Sequence, residues 1–378
     1  MSWLAAAAGE RVARDVLAFI GLEVAKADLD PLTREGFDDV VRALVTAMRR
    51  DSGEHTDAII KTATDRLDRD WGRLSEQQRE EAFRRAAGAV LERINGLAAA
   101  ATAPIEGSAR NLITRSRRAT SAANGLSVRD IFSAEDEVAA RFARSSSGFF
   151  VRSTGGRILS GAVDTTARRI VAKGLREGWD KQTTGEEMAK ALRGSVGERS
   201  QSYFEMVASV AMARSRTYAT LRSFEEAEVS LFKLSSVLDE VTSDVCRFMH
   251  GRTFEVRQAL RRFEEVMASP PGAIVDLQPF VRRGRRPDGS RVLFAESNGQ
   301  RTEIADILRS AVGQKDRIGS FRSIASDGRV AAMGCCTPPF HPHCRTVMLA
   351  VTSRVVTTPI GPGGTAAAPA ATTGSPRF

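Results

Sequence analysis

The sequence predicts a mainly α-helical protein with a smaller α+β module toward its C-terminus, an extended helical N-terminal region and a disordered C-terminal tail. Three observations predict it. Apolar residues recur at helical spacing through most of the chain before Glu228. After Glu228, stretches rich in Val, Leu, Phe and Ser suit strands better than helices. From Thr352 the chain is Thr, Ala, Pro and Gly without periodicity, with too little apolar surface to offset chain entropy. These textures divide the chain into a helical region at 1–103, a basic linker or arm at 104–128, a helical region at 129–228, an α+β module at 229–351 and a tail at 352–378.

Each element follows from a local pattern. Phe37, Val40, Val41, Leu44, Val45 and Met48 form one stripe on a 3.6-residue spiral. Gly72 marks a break, and Ser75 with Gln78 has the spacing of a capping box that opens a new helix. The alanine runs at Ala5–Ala8 and Ala98–Ala101 read as helix filler. Between Gly107 and Arg129 the chain carries five arginines and no acid, and with Pro104, Gly107 and Gly125 this reads as the linker. Helical pattern resumes at Ser127, breaks at the Ser145–Gly156 cluster and returns at Asp164. Thr184 and Glu187 predict a capped short helix, followed by a long one from about Ser200 to Glu226. VSLFKLSSVLDE reads as a strand, RVLFAE as a hairpin strand and residues 302–312 as a helix. No repeat of solenoid or propeller period is present.

Composition narrows the classes of function. Apolar residues make up 42% and charged residues 27%, values of a folded chain, and no stretch is long and apolar enough to cross a bilayer. The opening MSWLAAAAGERVARD lacks a basic segment before its apolar run, which makes it a poor secretory signal and predicts a cytosolic site of synthesis. Lys and Arg exceed Asp and Glu by 55 to 46, a net +9 that favours a polyanionic partner. Aromatics are scarce, so contact with a phosphate backbone is favoured over base stacking. Arg115, Arg117 and Arg118 form one cluster and Arg282, Arg283, Arg285 and Arg286 another; each is a candidate for nucleic-acid or protein contact, against the plainer use of a charge run as a solvated loop.

All four cysteines and three of the four histidines lie after Val245, in two groups about ninety residues apart. Cys246 and His250 are four apart, which places both on one face of a helix, and His341 and Cys344 are three apart among prolines. Two sulfurs and two imidazoles would complete a tetrahedral structural zinc site that cross-links distant segments. Cys335-Cys336 offers a sulfur in place of His250, and inert burial of the thiols is the competing use. Asp239, Glu240 and Asp244 beside these residues supply what a metal-dependent nuclease needs, yet no H-E-x-x-H, G-x-S-x-G or Walker pattern accompanies them, so a non-catalytic protein is expected.

Four blocks in order resemble a known family: GLREGWDKQTTGEEMAKAL, VASVAMARSRTYATL, LDEVTSDVCRFMHGRTF and PPFHPHCRTVML. Asp239, Thr242, Cys246 and Gly251 of the third block, and Pro338, Pro339, His341, Pro342, Cys344 and Arg345 of the fourth, match the pattern of the phage Mu F-like head morphogenesis proteins, minor capsid proteins of tailed bacteriophages. The chain departs from that pattern at Thr346, where the family has a further Cys, and at Ala213-Arg214-Ser215-Arg216, where it has Ala-Arg-Thr-Glu. The resemblance covers about half of the chain, from Ser160 to Val351. It implies a virion protein at the portal vertex inside the head, assembled in the host cytoplasm. The implied partners are the portal protein, packaged double-stranded DNA and capsid or scaffold protein, with no membrane. The alternative is a metal-dependent nuclease or toxin-like effector built on the same module.

Overall fold

In this computed structural model, residues 30–129 and 131–351 are described. The opening segment, the alanine run Ala5–Ala8 and the predicted disordered tail at 352–378 lie outside them. The fold is mainly helical with antiparallel sheet confined to the C-terminal part, as the sequence predicts.

Helix α1 (Arg34–Leu67) starts where the Thr33 hydroxyl accepts the Gly36 N–H at 3.1 Å. Its expected stripe is real: Phe37, Leu44, Val45 and Met48 are buried, with Val40 and Val41 partly so. A 3₁₀ turn at Trp71–Arg73 leads to α2 (Glu76–Asn124), opened by the expected box: Ser75 N–H donates to Gln78 at 2.8 Å and Gln78 N–H returns to the Ser75 hydroxyl at 3.3 Å. Gly125, at φ +63°, closes this helix in the left-handed conformation.

The linker reading of 104–128 is corrected here: up to Asn124 this stretch is the second half of α2. Pro104 removes one backbone donor, but burial of Ala98, Ala101, Ile105, Ala109, Leu112 and Ile113 along one face outweighs that local loss. Ala98 and Ala101 are completely buried, so they are contact residues of the helix packing and more than filler.

Helices α3 (Ala134–Phe150) and α4 (Gly156–Glu177) meet without the expected break, through one π-helical turn at Val151–Gly155. Tyr203 accounts for the widening. Its hydroxyl donates to the Phe150 carbonyl at 2.7 Å, and a Cβ on Gly155 would lie 2.8 Å from its ring. The two helices expected between Thr184 and Glu226 are one, α5 (Lys181–Glu226), capped by Asp180 instead of Thr184. This helix is the axis of the molecule and packs on α1, α2, α3 and α4.

Beyond α5 come β1 (Leu231–Ser235), α6 (Asp244–Met249), β2 (Thr253–Glu255), α7 (Val256–Ala268), α8 (Ile274–Leu277), β3 (Val281–Arg285), β4 (Arg291–Ser297), β5 (Gln300–Arg309), β6 (Ser320–Ser323), α9 (Asp327–Ala332) and β7 (Val347–Ala350). One antiparallel sheet has the order β2-β1-β7, and a second runs β3-β4-β5-β6. The predicted strands around Leu231 and Arg291 are β1 and β4. The predicted helix at 302–312 is instead mostly strand β5, hydrogen-bonded on both edges, with an irregularity near Leu308. Ile304, Ala305, Asp306 and Ile307 are buried in succession, and the bulge mimics helical spacing. One large apolar core runs from Phe37 on α1 to Met348 on β7, with a small satellite of Phe142, Val266 and Ile274, so the helical and α+β regions share one interior.

Candidate metal centre

Cys246 lies in the first turn of α6, whose start is fixed by the Ser243 hydroxyl accepting the Cys246 N–H at 3.2 Å. His341 and Cys344 come from the loop before β7, where His343 adopts φ +61°. The Cys246 Sγ is 2.9 Å from His341 Nε2 and 3.8 Å from Cys344 Sγ. The three ligand atoms all lie within 4.8 Å of one another, and among the described residues this is the group able to hold a metal ion.

The local chemistry favours ligation. His341 Nδ1 is 2.6 Å from the Pro342 carbonyl, an acceptor, so it carries the proton and leaves the Nε2 lone pair facing Cys246. Both sulfurs are buried. A hydrogen bond from the Cys344 thiol lowers the Cys246 pKa against the effect of burial, aided by Thr346 and Ser243. Burial in turn raises Cys344 well above the ordinary thiol range, as does its contact with Cys246. Two sulfurs and an imidazole nitrogen form a donor set suited to a borderline-soft cation.

His250 is the correction. Its Nδ1 accepts the Ser236 N–H at 3.0 Å, and it stands outside the cluster as the C-cap of α6. With ψ 130°, His250 has left the helix, so the one-face spacing with Cys246 does not hold. Cys335 and Cys336 do not replace it: both are buried elsewhere, and desolvation pushes each thiol up to about 12. Gly251, at φ +82°, takes the chain out of α6, and its N–H donates to Leu234 on β1 at 2.8 Å.

The motif residues brace the site against the helices. Asp239 accepts from Arg34 of α1 at 2.6 Å and from the Thr242 hydroxyl, and Arg345 donates to Asp38 at 3.1 Å. Burial raises the Asp239 pKa, but Thr242, Arg34 and Arg345 outweigh it and hold the carboxyl below its usual range. Asp244 is engaged by Ser310 at 2.7 Å and by Arg283 at 3.3 Å. Two of the three acids that a nuclease would use, Asp239 and Asp244, are thus tied into ion pairs and hydrogen bonds, while Glu240 is exposed. Pro338 and Pro339 are joined by a cis peptide, and Pro339, Phe340 and Pro342 carry the loop back to the cluster.

The sequence reading gave three residues of the region no part in the site. Arg247, completely buried, donates to the carbonyls of Asp239, Thr242, Gln314 and Arg317 and binds the motif turn to the loop after β5. Arg216 of α5 lies over the Phe37 ring and donates to the Thr346 carbonyl at 3.2 Å. Arg214, two residues earlier and so on another face of α5, has no carboxylate partner among the described residues. The available signal was their position inside apolar helical stretches, where an arginine needs a reason.

The arginine clusters divide. Arg117 is buried between Asp136 at 2.9 Å and Glu226, so it is a structural clamp and unsuited to phosphate. Its place on the inward face of α2 follows from the helix replacing the linker. Arg286 is gripped by Glu303 and Asp306. Arg115 is partly buried, whereas Arg118, Arg282, Arg283 and Arg285 are exposed; Arg282 pairs with Glu296 at 3.4 Å. No family model, no curated protein and no solved structure matches this chain.

Proposed function

We propose that this chain is a minor head protein of a tailed phage, seated at the portal vertex and lying against packaged double-stranded DNA. Cys246, His341 and Cys344 would hold a zinc ion whose role is to cross-link the loop before β7 to α6. The observation that carries this reading is the convergence of blocks far apart in sequence. The Asp239–Gly251 and Pro338–Arg345 segments meet at the cluster and are fastened to α1 and α5 through Arg34, Arg345 and Arg216. An ion there would join loop, α6 and helical body, so its binding energy would become folding energy. The role is architectural, since Asp239, the acid that shares a cleft with the cluster, is held in ion pairs and is no free general base.

Exposed Arg118, Arg282, Arg283 and Arg285 are the groups that would meet phosphate. Exposed ion pairs such as Arg282–Glu296 contribute about 0–1 kcal/mol, so a phosphate can displace the glutamate at little cost. No helix of the described residues is long and apolar enough to cross a membrane.

The test is in two parts. Mass spectrometry of purified virions of the encoding phage should find the chain in few copies per particle, and its absence from mature particles and assembly intermediates would overturn the assignment. Elemental analysis should find one zinc per chain, lost in Cys344→Ser and His341→Ala and retained in His250→Ala. Equal metal content in all four proteins would remove the zinc site.

A further inference from the structure

A cavity of about 350 Å³ lies between α3, α5, α7 and the segment around α8. Its walls are mostly apolar, with Phe142, Val207, Val210 and Phe280 among them. Three polar groups on its lining are buried and lack a partner: Arg214 Nε, Tyr218 Oη and Gln278 Oε1. Arg214 is 9% exposed, Tyr218 1% and Gln278 3%. Arg214 and Tyr218 are four residues apart on α5, so they lie on the same helical face. The Arg214 guanidinium sits 5.8 Å from the Phe280 ring centre, and burial alone pushes it down to about 9. The nearest acid on the lining, Glu296, pairs with Arg282 at 3.4 Å on an exposed edge.

A buried cation without a counter-charge is costly, and so is each orphaned polar group. An apolar chamber with a few unpartnered buried polar groups on its lining has the make-up of a small-molecule site. We infer that this cavity binds an amphiphile with an apolar body and a carboxylate head, the carboxylate accepting from Arg214. The apolar body lies along Phe142, Val207 and Val210. The site is separate from the Cys246 cluster and does not depend on the proposed virion role.

Isothermal titration of the full chain with decanoate and with decanamide tests this. Decanoate should bind one per chain, at least about tenfold tighter than the uncharged amide, because a charge-assisted hydrogen bond distinguishes them. Arg214→Met should erase the difference, and Val210→Trp, which fills the chamber, should abolish binding of both. Circular dichroism identifies any variant that does not fold. If Arg214→Met is lost, the decanoate-to-decanamide ratio tests the charge and Val210→Trp the location. Equal or absent binding of the two ligands to the unmodified chain would overturn the inference, as would a preference for decanoate that survives in folded Arg214→Met or Val210→Trp.

Discussion

Arg247 shows how much one side chain decides in this fold. It is completely buried, yet its donors meet four backbone carbonyls and no acid. Arg247→Met keeps the apolar stem and strands those carbonyls, at about 1–3 kcal/mol for each left unsatisfied. Urea melts should therefore show a loss of at least about 2 kcal/mol, and an unchanged midpoint would mean that water replaces the guanidinium freely. Thr346 is a second residue-scale case. It stands where the resembled family has a Cys, its hydroxyl is 2.8 Å from that of Ser236, and it also bonds Cys246. Thr346→Cys places a third sulfur beside the cluster, so competition against a chelator should show tighter zinc retention; weaker retention would place that side chain outside the coordination sphere.

At the scale of elements, ion pairs hold helices and strands in register. Asp136 caps α3 through the Ser133 N–H at 2.9 Å and also receives Arg117 of α2, while Glu226 at the end of α5 completes the clamp. Asp136→Ala leaves the buried Arg117 half-paired, for which a loss of about 3 kcal/mol in chemical denaturation is expected. In the second sheet, Asp306 on β5 accepts from Arg286 and Arg322, and these bonds lower its pKa. A carboxylate held low in the folded state stabilises fully above its ordinary range and loses that contribution as pH falls through the folded value. Stability should accordingly drop on acidification below about pH 4, and Asp306→Asn should flatten that part of the profile. An identical profile in the variant would mean that other acids dominate.

For the whole molecule, the continuous core decides the behaviour. Because apolar contacts run from Phe37 to Met348 without a gap, the helical and α+β regions should melt in one transition. Two separated calorimetric peaks would show that the α+β part folds by itself. The surface arginines carry the remaining expectation. Binding to double-stranded DNA should be indifferent to sequence and fall linearly with the logarithm of salt, and Arg282→Ala with Arg283→Ala should make the slope shallower by about two. A slope unaltered by that change would place the contact elsewhere.

Much of this was legible in the chain. The α1 stripe, the Ser75 capping box and the strands at Leu231 and Arg291 all rest on local spacing, which backbone geometry converts directly into structure. What spacing does not carry is competition between local signals and distant burial. Pro104 and the arginines after it read as a linker, but one apolar face kept α2 helical and turned Arg117 inward. Residues 302–309 had helical periodicity, but hydrogen bonds from β4 and β6 made them a strand. His250 sat at a ligand's spacing, but the end of a six-residue helix gave it to Ser236. The sequence alone determined which chemistry is present and near which turns. Only the tertiary structure decided which three of those groups meet and which arginines are buried, because both depend on contacts between segments that are separate in the chain.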